Sequence, residues 1–262
     1  TPAFADAIAQ AERLIESAPH IRTEQDLLEG YRYLAGGIAA TLHGAWVTER
    51  THPVFTEGTG PYTKMGLDNP DTRYYGTRLD ADKEYVVTGT RGTTVDLSFQ
   101  VLSGNYTDAD VPGSDEAFDD RAIEIGADGS FEIRFGPGPS TGPNYRVLAP
   151  GASQLVVREV YGDWSEKPGT IRIERVDTVG CAPAEPTREG VERRFARAGK
   201  ALVTRVRTWL QFPEWFYLNL PVNTMTEPRL TPGGLATQYS SAGHFDLHAD
   251  QAMIITVPRA DV

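Results

Sequence analysis

Cysteine is nearly absent from this 262-residue sequence, in which Cys181 is the only one. A single cysteine excludes an intrachain disulfide framework and any metal site built from several thiolates. Cys181 follows a Val-Gly pair and precedes Ala-Pro-Ala, and neither a histidine nor a helix start stands near it in the sequence. A nucleophilic thiol needs such a neighbour to form its thiolate, so we interpret Cys181 as a linker residue.

Long apolar runs are missing as well, and none approaches the roughly 20 residues of a membrane-spanning helix. The first residues, Thr1 to Asp6, do not combine a basic segment with an apolar one, so no signal peptide is visible. We therefore expect a cytoplasmic protein without a membrane span. A secretion signal that has already been removed stays open as an alternative.

Positive charge is scarce, because the chain has 25 Lys and Arg but 36 Asp and Glu, which gives a formal net charge of −11. Binding of nucleic acid needs clustered Lys and Arg to neutralise phosphates, so we expect no nucleic-acid partner. Gly-x-Gly-x-x-Gly and Walker loops, the Gly-x-Ser-x-Gly elbow and the His-Glu-x-x-His motif are also missing. Their absence disfavours dinucleotide, nucleoside-triphosphate, α/β-hydrolase and zincin chemistry.

Helical spacing of apolar side chains is present near both ends of the chain. It predicts a helix over residues 3–17 and another from Leu27 to Trp46, which a capping box at Thr23–Asp26 opens. A third, longer helix is predicted from Pro186 to Gln211. Its other faces carry a run of arginines. We interpret them as solvated or as paired with the protein's own acids, rather than as a site for an anionic ligand.

Alternation of apolar and polar side chains predicts strands through the middle of the chain. Arg91–Thr93 is interpreted as a hairpin turn, and Ala127–Gly129 as the turn of a second hairpin that begins at Ile123. Residues 103–120 are acidic and rich in turn formers, so a surface loop is expected there. The predicted strands cover residues 83–90, 95–101, 131–135, 154–161 and 170–176.

These patterns predict a mainly β (α+β) fold. We expect an antiparallel β-sandwich or jelly-roll-like core, with N-terminal helices and one long late helix packed on it. The expected division is a helical region 1–66, a β core 67–178, and a region 179–262 that forms one integrated domain with the β core.

The last part of the chain is expected to return to strands at His244–His248 and Met253–Val257. The sequence stops four residues after Pro258, directly behind a predicted core strand. A final edge strand and a truncated or processed chain are both open interpretations.

The first candidate site is the polar turn around Asn69-Pro70, where proline fixes φ and disfavours helix. A carboxylate here would act as general base, arginine as an anion clamp and tyrosine as a hydrogen-bond donor. The competing interpretation, which we favour, is a structural turn whose aspartates cap backbone groups. The candidate catalytic residues are Asp68, Asp71, Arg73 and Tyr74.

The second candidate combines carboxylates with tryptophans, as glycosidases and sugar-binding sandwiches do. We expect a small organic, apolar or glycosidic ligand between the polar turn 68–75 and the aromatic segment 209–217. Tryptophan in the core or at its rim is the default alternative. The candidate substrate-binding residues are Tyr75, Arg158, Trp164, Trp209, Glu214, Trp215 and Tyr217.

The third candidate is a metal site at His244, Asp246 and His248, which share one face if this segment is a strand. Imidazoles and a carboxylate are ligand types for zinc or iron. A wet outer face explains the same spacing, and three same-face side chains on one strand reach a single ion with difficulty. We therefore predict no cofactor, with a divalent metal, Zn or Fe, as the open alternative.

An ordered set of short motifs resembles a bacterial group known as domain-of-unknown-function family 1214. The motifs are Leu27–Leu34, Asp68–Thr72, Asp128–Ile133, Asn144 and Leu155–Glu159, within a likeness that spans roughly residues 25 to 258. Tyr145 departs from the tryptophan that follows the asparagine in the family pattern. The resemblance implies β-sandwich or jelly-roll-like domains in a longer chain, and it implies no reaction.

Three function classes therefore stay open. The first is an enzyme that acts on a small organic molecule, and the second is a non-catalytic module that binds a carbohydrate or a lipophile. The third is a structural domain that assembles with other subunits, including a homo-oligomer. A closed pocket of a few hundred Å³ would favour the first two classes over the third.

Overall fold

A computed structural model describes residues 1–107, 111–230, 234 and 238–257. Its first two helices are α1 (Pro2–Glu16) and α2 (Glu24–Val47). The predicted capping box at the start of α2 is confirmed, since Thr23 Oγ1 accepts from the Asp26 N–H and Asp26 accepts from the Thr23 N–H. These bonds satisfy backbone donors that have no partner within the helix.

The third helix, α3, runs over Arg188–Phe216 and continues past Pro213. It packs against α1 and α2, so the helices from the two ends of the described chain share one core. The close approach depends on Gly199, where an added Cβ would lie 2.9 Å from the Ala7 Cβ of α1. The buried residues of this helical core are Phe4, Ala11, Ile15, Leu34, Ala45, Ala198, Leu202 and Val206.

Two sheets form the β-sandwich, which confirms the predicted mainly β fold with helices packed on it. The larger sheet has the order β1-β2-β8-β4-β5 and the smaller has the order β7-β6-β3-β9. All neighbours in them are antiparallel except β6 and β7. The strands are β1 (Thr56–Thr59), β2 (Thr72–Arg78), β3 (Tyr85–Thr90), β4 (Asp96–Ser103), β5 (Gly113–Asp119), β6 (Ser130–Gly136), β7 (Tyr145–Val147), β8 (Ala152–Val160) and β9 (Thr170–Arg175).

The sandwich core lies between the facing sides of the two sheets. Alternation places Phe99 of β4 and Val157 of β8 in this layer, as neighbours in the ladder. Phe99 stacks on Phe118 of β5 with ring centroids 5.1 Å apart. The opposite side of the larger sheet, which we call its outer face, carries the intervening residues of the same strands.

Both predicted hairpins are wrong. Arg91–Thr93 leads from β3 in the smaller sheet to β4 in the larger one, so these strands do not pair with each other. Residues 123–125 form no strand, and β6 pairs instead with β3 and β7. The predicted surface loop 103–120 contains β5. Local alternation correctly indicated β3, β4, β6, β8 and β9, but the partner of a strand depends on residues far away in the sequence.

After α3 the described chain forms only a short two-stranded ladder, β10 (Arg229–Leu230) and β11 (Tyr239–Ser240). The strands predicted at 244–248 and 253–257 are not formed. Within the described ranges, no helix is both long and apolar enough to cross a membrane.

Candidate functional site

Strand β2 divides the predicted site residues between two faces of the larger sheet. Tyr74 is in register with Arg158 of β8, whereas Tyr75 is in register with the core residue Val157. Because successive side chains of a strand point to opposite faces, Tyr74 and Arg158 share the outer face. Arg73 and Tyr75 face the other way, so the structure does not bring the four residues into one pocket.

On the inner side, Tyr75 lines a cavity of about 350 Å³ at the edge of the sandwich. We call it the edge cavity. Its walls come from the end of α2, from the segment of β1, from β2 and from the edge strand β9. The lining residues are His43, Val47, Phe55, Thr56, Glu57, Tyr75 and Ile171.

Behind Tyr75 lies the buried carboxylate of Glu159, which is 2% exposed. Its Oε1 accepts from the Gly169 N–H at 2.7 Å and from the Thr94 hydroxyl at 3.1 Å. Its Oε2 accepts from the Tyr75 hydroxyl at 3.5 Å. Burial, opposed by Arg73 and assisted by Glu159, raises the pKa of Tyr75 to about 12. The phenol therefore stays protonated and donates at neutral pH.

Glu57 supplies a second carboxylate to the cavity and pairs with Arg73. The guanidinium of Arg73 also lies 5.3 Å from the ring centroid of Tyr75. The hydrogen bond to Glu57 raises the pKa of Arg73 above its ordinary value, with burial opposing. The pair fixes the charged end of the cavity, while Val47, Phe55 and Ile171 make its apolar wall.

A second groove of about 420 Å³ runs along β9 and shares Phe55 and Ile171 with the edge cavity. His52 and Cys181 both line it, and His52 Nε2 lies 3.1 Å from the backbone oxygen of Cys181. This contact involves the backbone and not the thiol. The interpretation of Cys181 as an exposed linker residue therefore needs no change.

On the outer face, Arg158 donates from Nη1 to Gln100 Oε1 at 2.7 Å. Its guanidinium lies 6.0 Å from the ring centroid of Tyr74. Burial lowers the pKa of Arg158 below its ordinary value, and the nearby phenols of Tyr74 and Tyr106 oppose this shift. No carboxylate of the described residues lies within ion-pair distance of this guanidinium.

The aspartates of the polar turn make local bonds. Asp68 accepts from Lys64 Nζ at 2.9 Å and from the Met65 N–H at 3.3 Å. Asp71 accepts from Trp164 Nε1 at 3.0 Å. Trp164, 67% exposed, stacks on Tyr161 with centroids 5.0 Å apart. A catalytic role for the two aspartates stays a prediction, and their bonds are those of a structural turn.

The aromatic segment meets the turn at Gly66, which has a φ of +64° and lies under the ring of Trp209. Trp209 also packs on Tyr106 at 5.6 Å and on Phe212 at 4.7 Å. Glu214, Trp215 and Tyr217 follow at the end of α3, and none of them lines the edge cavity. Their predicted role in binding substrate stays a prediction.

The predicted metal ligands are not assembled. Within the described ranges, no group of three His, Cys, Asp or Glu side chains is placed to hold a metal ion. Since residues 244–248 form no strand, the shared face on which the prediction depended is missing. His244 Nε2 lies 2.7 Å from the Leu220 backbone oxygen, and Asp246 and His248 use their backbone N–H groups in bonds to Asn223 and Gln251.

Sequence reasoning did not select His43, Phe55 or Glu57 as site residues, and it named Glu159 only among the carboxylates that precede Trp164. Glu159 had a signal, because it follows Leu155 and Val157 at the inward positions of a strand. A carboxylate in such a position must find hydrogen-bond donors inside the fold. The other three have no local signal, since only the packing of α2 beside β1 brings them together.

Comparisons with known proteins support the fold. No family model matches the chain, and no curated protein matches it. A crystal structure of an uncharacterized protein from Burkholderia cenocepacia superposes with a TM-score of 0.74 at 28% identity, covering 86% of this chain and 62% of that one. This chain therefore spans less than two thirds of that protein. A protein from Vibrio parahaemolyticus aligns with a TM-score of 0.32 at 16% identity, and the alignment covers 59% of this chain and 46% of that one. This likeness is too weak to support a conclusion.

Proposed function

We propose that this protein binds a small organic molecule in the edge cavity. The observation that carries the proposal is a cavity of about 350 Å³ whose lining combines the apolar side chains of Val47, Phe55 and Ile171 with the polar groups of Thr56, Glu57 and Tyr75. Sites for small molecules are concave and mostly apolar, with a few polar groups that fix the orientation of the ligand. Trp209 does not line this cavity, so the proposed location differs from the one expected from the sequence.

The cavity selects for a mainly apolar ligand with a polar end. Val47, Phe55 and Ile171 contact the apolar part, and the ion pair of Glu57 with Arg73 lies at the polar end. The Tyr75 hydroxyl keeps its hydrogen, because its pKa is raised, and it directs this hydrogen to Glu159 Oε2 at 3.5 Å. Its oxygen is therefore an acceptor for the ligand. A protonated phenol cannot act as a base at neutral pH, which favours binding over proton abstraction as the role of Tyr75.

The test is a ligand-observed NMR screen of small aromatic and aliphatic acids and alcohols against the wild type and two variants. Val47→Trp fills the edge cavity from the end of α2. Val147→Trp makes the same change on β7 at the opposite edge of the sandwich, where Val147 is 49% exposed. We expect Val47→Trp to weaken binding at least tenfold, about 1.4 kcal/mol, and the control to leave it unchanged. Equal binding by all three proteins would place the ligand elsewhere.

Assembly is the second candidate function, because apolar side chains are exposed after α3. Tyr239, Phe245, Ile254 and Val257 are 67%, 68%, 89% and 71% exposed. Exposed apolar clusters mark interaction surfaces in many proteins. Sedimentation of the wild type and of Ile254→Lys tests this proposal, which predicts an oligomer that the substitution weakens. A monomer at all concentrations would reject it.

Membership of domain-of-unknown-function family 1214 also stays a proposal. Its support is the order of the short motifs along the chain. One of these motifs, Asp68–Thr72, leads into β2, and another, Leu155–Glu159, pairs with the following residues of β2, Arg73–Thr77. A profile built from many sequences related to this chain would test it.

A further inference from the structure

Three polar side chains form one row across the outer face of the larger sheet. Tyr74 of β2 is in register with Arg158 of β8, and Arg158 is in register with Ser98 of β4. Partners in adjacent strands lie about 5 Å apart, so Tyr74 and Ser98 are each direct neighbours of Arg158 and lie about 10 Å from each other across β8. We call them the donor row.

Each member of the donor row has a hydrogen that no acceptor uses. The Tyr74 hydroxyl accepts from the Asn69 N–H at 2.8 Å, and its own hydrogen has no acceptor among the described residues. Ser98 is 2% exposed, and its Oγ has no hydrogen-bond partner of ordinary geometry among the described residues. It lies close to Asp96, where burial raises the pKa of the carboxyl and the Ser98 hydroxyl partly opposes this shift. Arg158 donates only to Gln100, which leaves Nε and Nη2 without a described partner.

Such a row is unusual, because buried polar groups in folded proteins almost always have partners. Gln100, which is fully buried, belongs to the next row and donates from Nε2 to Ser114 Oγ and to the Gly234 oxygen, each at 3.0 Å. Gln100 is therefore satisfied, whereas the donor row beside it is not. Asp96 lies on the same face two residues before Ser98, without an ion pair to Arg158 among the described residues.

Space for a ligand is present beside the row. Gly76 follows Tyr74 on this face of β2 and is in register with Val156 of β8. A Cβ added at Gly76 would meet no atom of the described residues within 4 Å. Arg78 borders the other side of this opening, where its nearest described partner is the amide oxygen of Asn105 at 3.3 Å. Two arginines that lack acids thus flank one gap.

We propose that the donor row binds an oxyanion, a carboxylate or phosphate group, which enters over Gly76 and accepts from Arg158, Tyr74 and Ser98. The chemistry fits, because carboxylates and phosphates offer negatively charged acceptors and the guanidinium of Arg158 has donors to spare. Guanidinium groups bind such anions through paired, charge-assisted hydrogen bonds. Long-range electrostatic attraction does not drive the binding of an anion, since the chain itself carries a net charge of −11. The donors of the row must supply the affinity.

Calorimetric titration of the purified protein tests the proposal, with sodium phosphate in one arm and sodium malonate in the other. Sodium chloride keeps the ionic strength constant, because charge screening alone alters weak binding. We expect the wild type to bind at least one of the two anions, and the tighter arm identifies the ligand as a phosphate or a carboxylate. Arg158→Gln, which removes the charge, should weaken binding at least tenfold.

Two further variants make the test specific. Gly76→Val keeps all three donors but fills the opening, so it should also weaken binding of the anion. If Arg158→Gln does not fold, Gly76→Val still tests whether the anion binds at the donor row. Arg172→Gln removes an exposed arginine of β9 in the other sheet and should bind as the wild type does. Val47→Trp should also bind the anion normally, which separates this proposal from the edge cavity.

The outcomes that overturn the proposal are equally defined. No binding of phosphate or malonate by the wild type would reject an oxyanion site. Undiminished binding by folded Arg158→Gln, or by Gly76→Val, would place the anion elsewhere on the protein. An equal loss in Arg172→Gln would show that only overall charge matters.

Discussion

Arg158 and Glu159 are consecutive residues of β8 with opposite charges, and they differ in the face on which they lie and in their hydrogen bonding. Arg158 lies on the outer face and Glu159 points into the end of the sandwich. Because neighbouring side chains of a strand point apart, the two cannot pair with each other. Among the described residues, neither finds an opposite charge within ion-pair distance.

The difference lies in how completely each charge is satisfied. Glu159 accepts from three donors, the Gly169 N–H and the hydroxyls of Thr94 and Tyr75. Arg158 donates to one acceptor, Gln100. A buried charge that is fully hydrogen-bonded belongs to the framework of the fold. A partly buried charge with spare donors instead indicates a binding site, and this contrast separates a structural role from a functional one.

The largest effect is expected for Glu159→Ala. The substitution leaves the Gly169 N–H and the Thr94 hydroxyl without an acceptor in a buried place, at about 1–3 kcal/mol for each. We expect the free energy of unfolding to fall by about 3 kcal/mol or more, measured by chemical denaturation. Glu159→Gln, which keeps one acceptor oxygen, should lose less. Glu174→Ala on β9, an exposed position, is the matched control and should change stability by less than about 0.5 kcal/mol.

A loss below about 1 kcal/mol in Glu159→Ala would contradict this assignment. It would mean that water or a side-chain shift satisfies the two donors as well as the carboxylate does. The contrast between the neighbouring charges would then disappear, because both positions would tolerate neutral residues.

Much of the fold could be predicted from the sequence, because the signals for single elements are local. The capping box at Thr23 and the alternation in β8 each depend on a few consecutive residues. Pairing could not be predicted in the same way. Whether β3 pairs with β4 or with β9 depends on contacts about 80 residues apart in the chain, for which the alternation carries no signal.

The site could be predicted only in part, for the same reason. Residue types indicated that Arg73, Tyr74, Tyr75 and Arg158 carry chemistry, but alternation along β2 assigns them to two faces. Which face of β2 borders a cavity depends on the packing of α2 and β9, and no local pattern in the sequence identifies these elements as neighbours of β2. The expected strand at His244–His248 shows the converse, because alternating residues form no strand without a partner.

A smaller effect is expected for Arg158→Gln in the absence of an anion. Removing a partly buried charge that has no acid partner relieves a desolvation cost, while the hydrogen bond to Gln100 is weakened. These contributions oppose each other, so we expect the free energy of unfolding to change by less than about 1 kcal/mol. Chemical denaturation in chloride buffer measures it. A loss as large as that of Glu159→Ala would show that Arg158 belongs to the framework, too.

The last effect is a pH dependence of stability to which Tyr75, beside Glu159, contributes. Burial, opposed by Arg73 and assisted by Glu159, raises the pKa of Tyr75 to about 12, while a tyrosine in an unfolded chain titrates near 10. The folded state therefore holds this proton more tightly. The resulting stabilisation is complete below about pH 10 and is lost as the pH rises towards 12.

Chemical denaturation of the wild type between about pH 9 and pH 11.5 should thus show a declining free energy of unfolding. Tyr75→Phe should reduce the steepness of this decline, because the variant has no phenol at the position. Tyr33, whose pKa burial also raises to about 12, contributes its own share, so the double variant with Tyr33→Phe should decline least. If Tyr75→Phe kept the full slope of the wild type, the phenol would not be held protonated beside Glu159. Its assignment as a donor to Glu159 would then fail, while the assignment of Arg158 on the opposite face would stand.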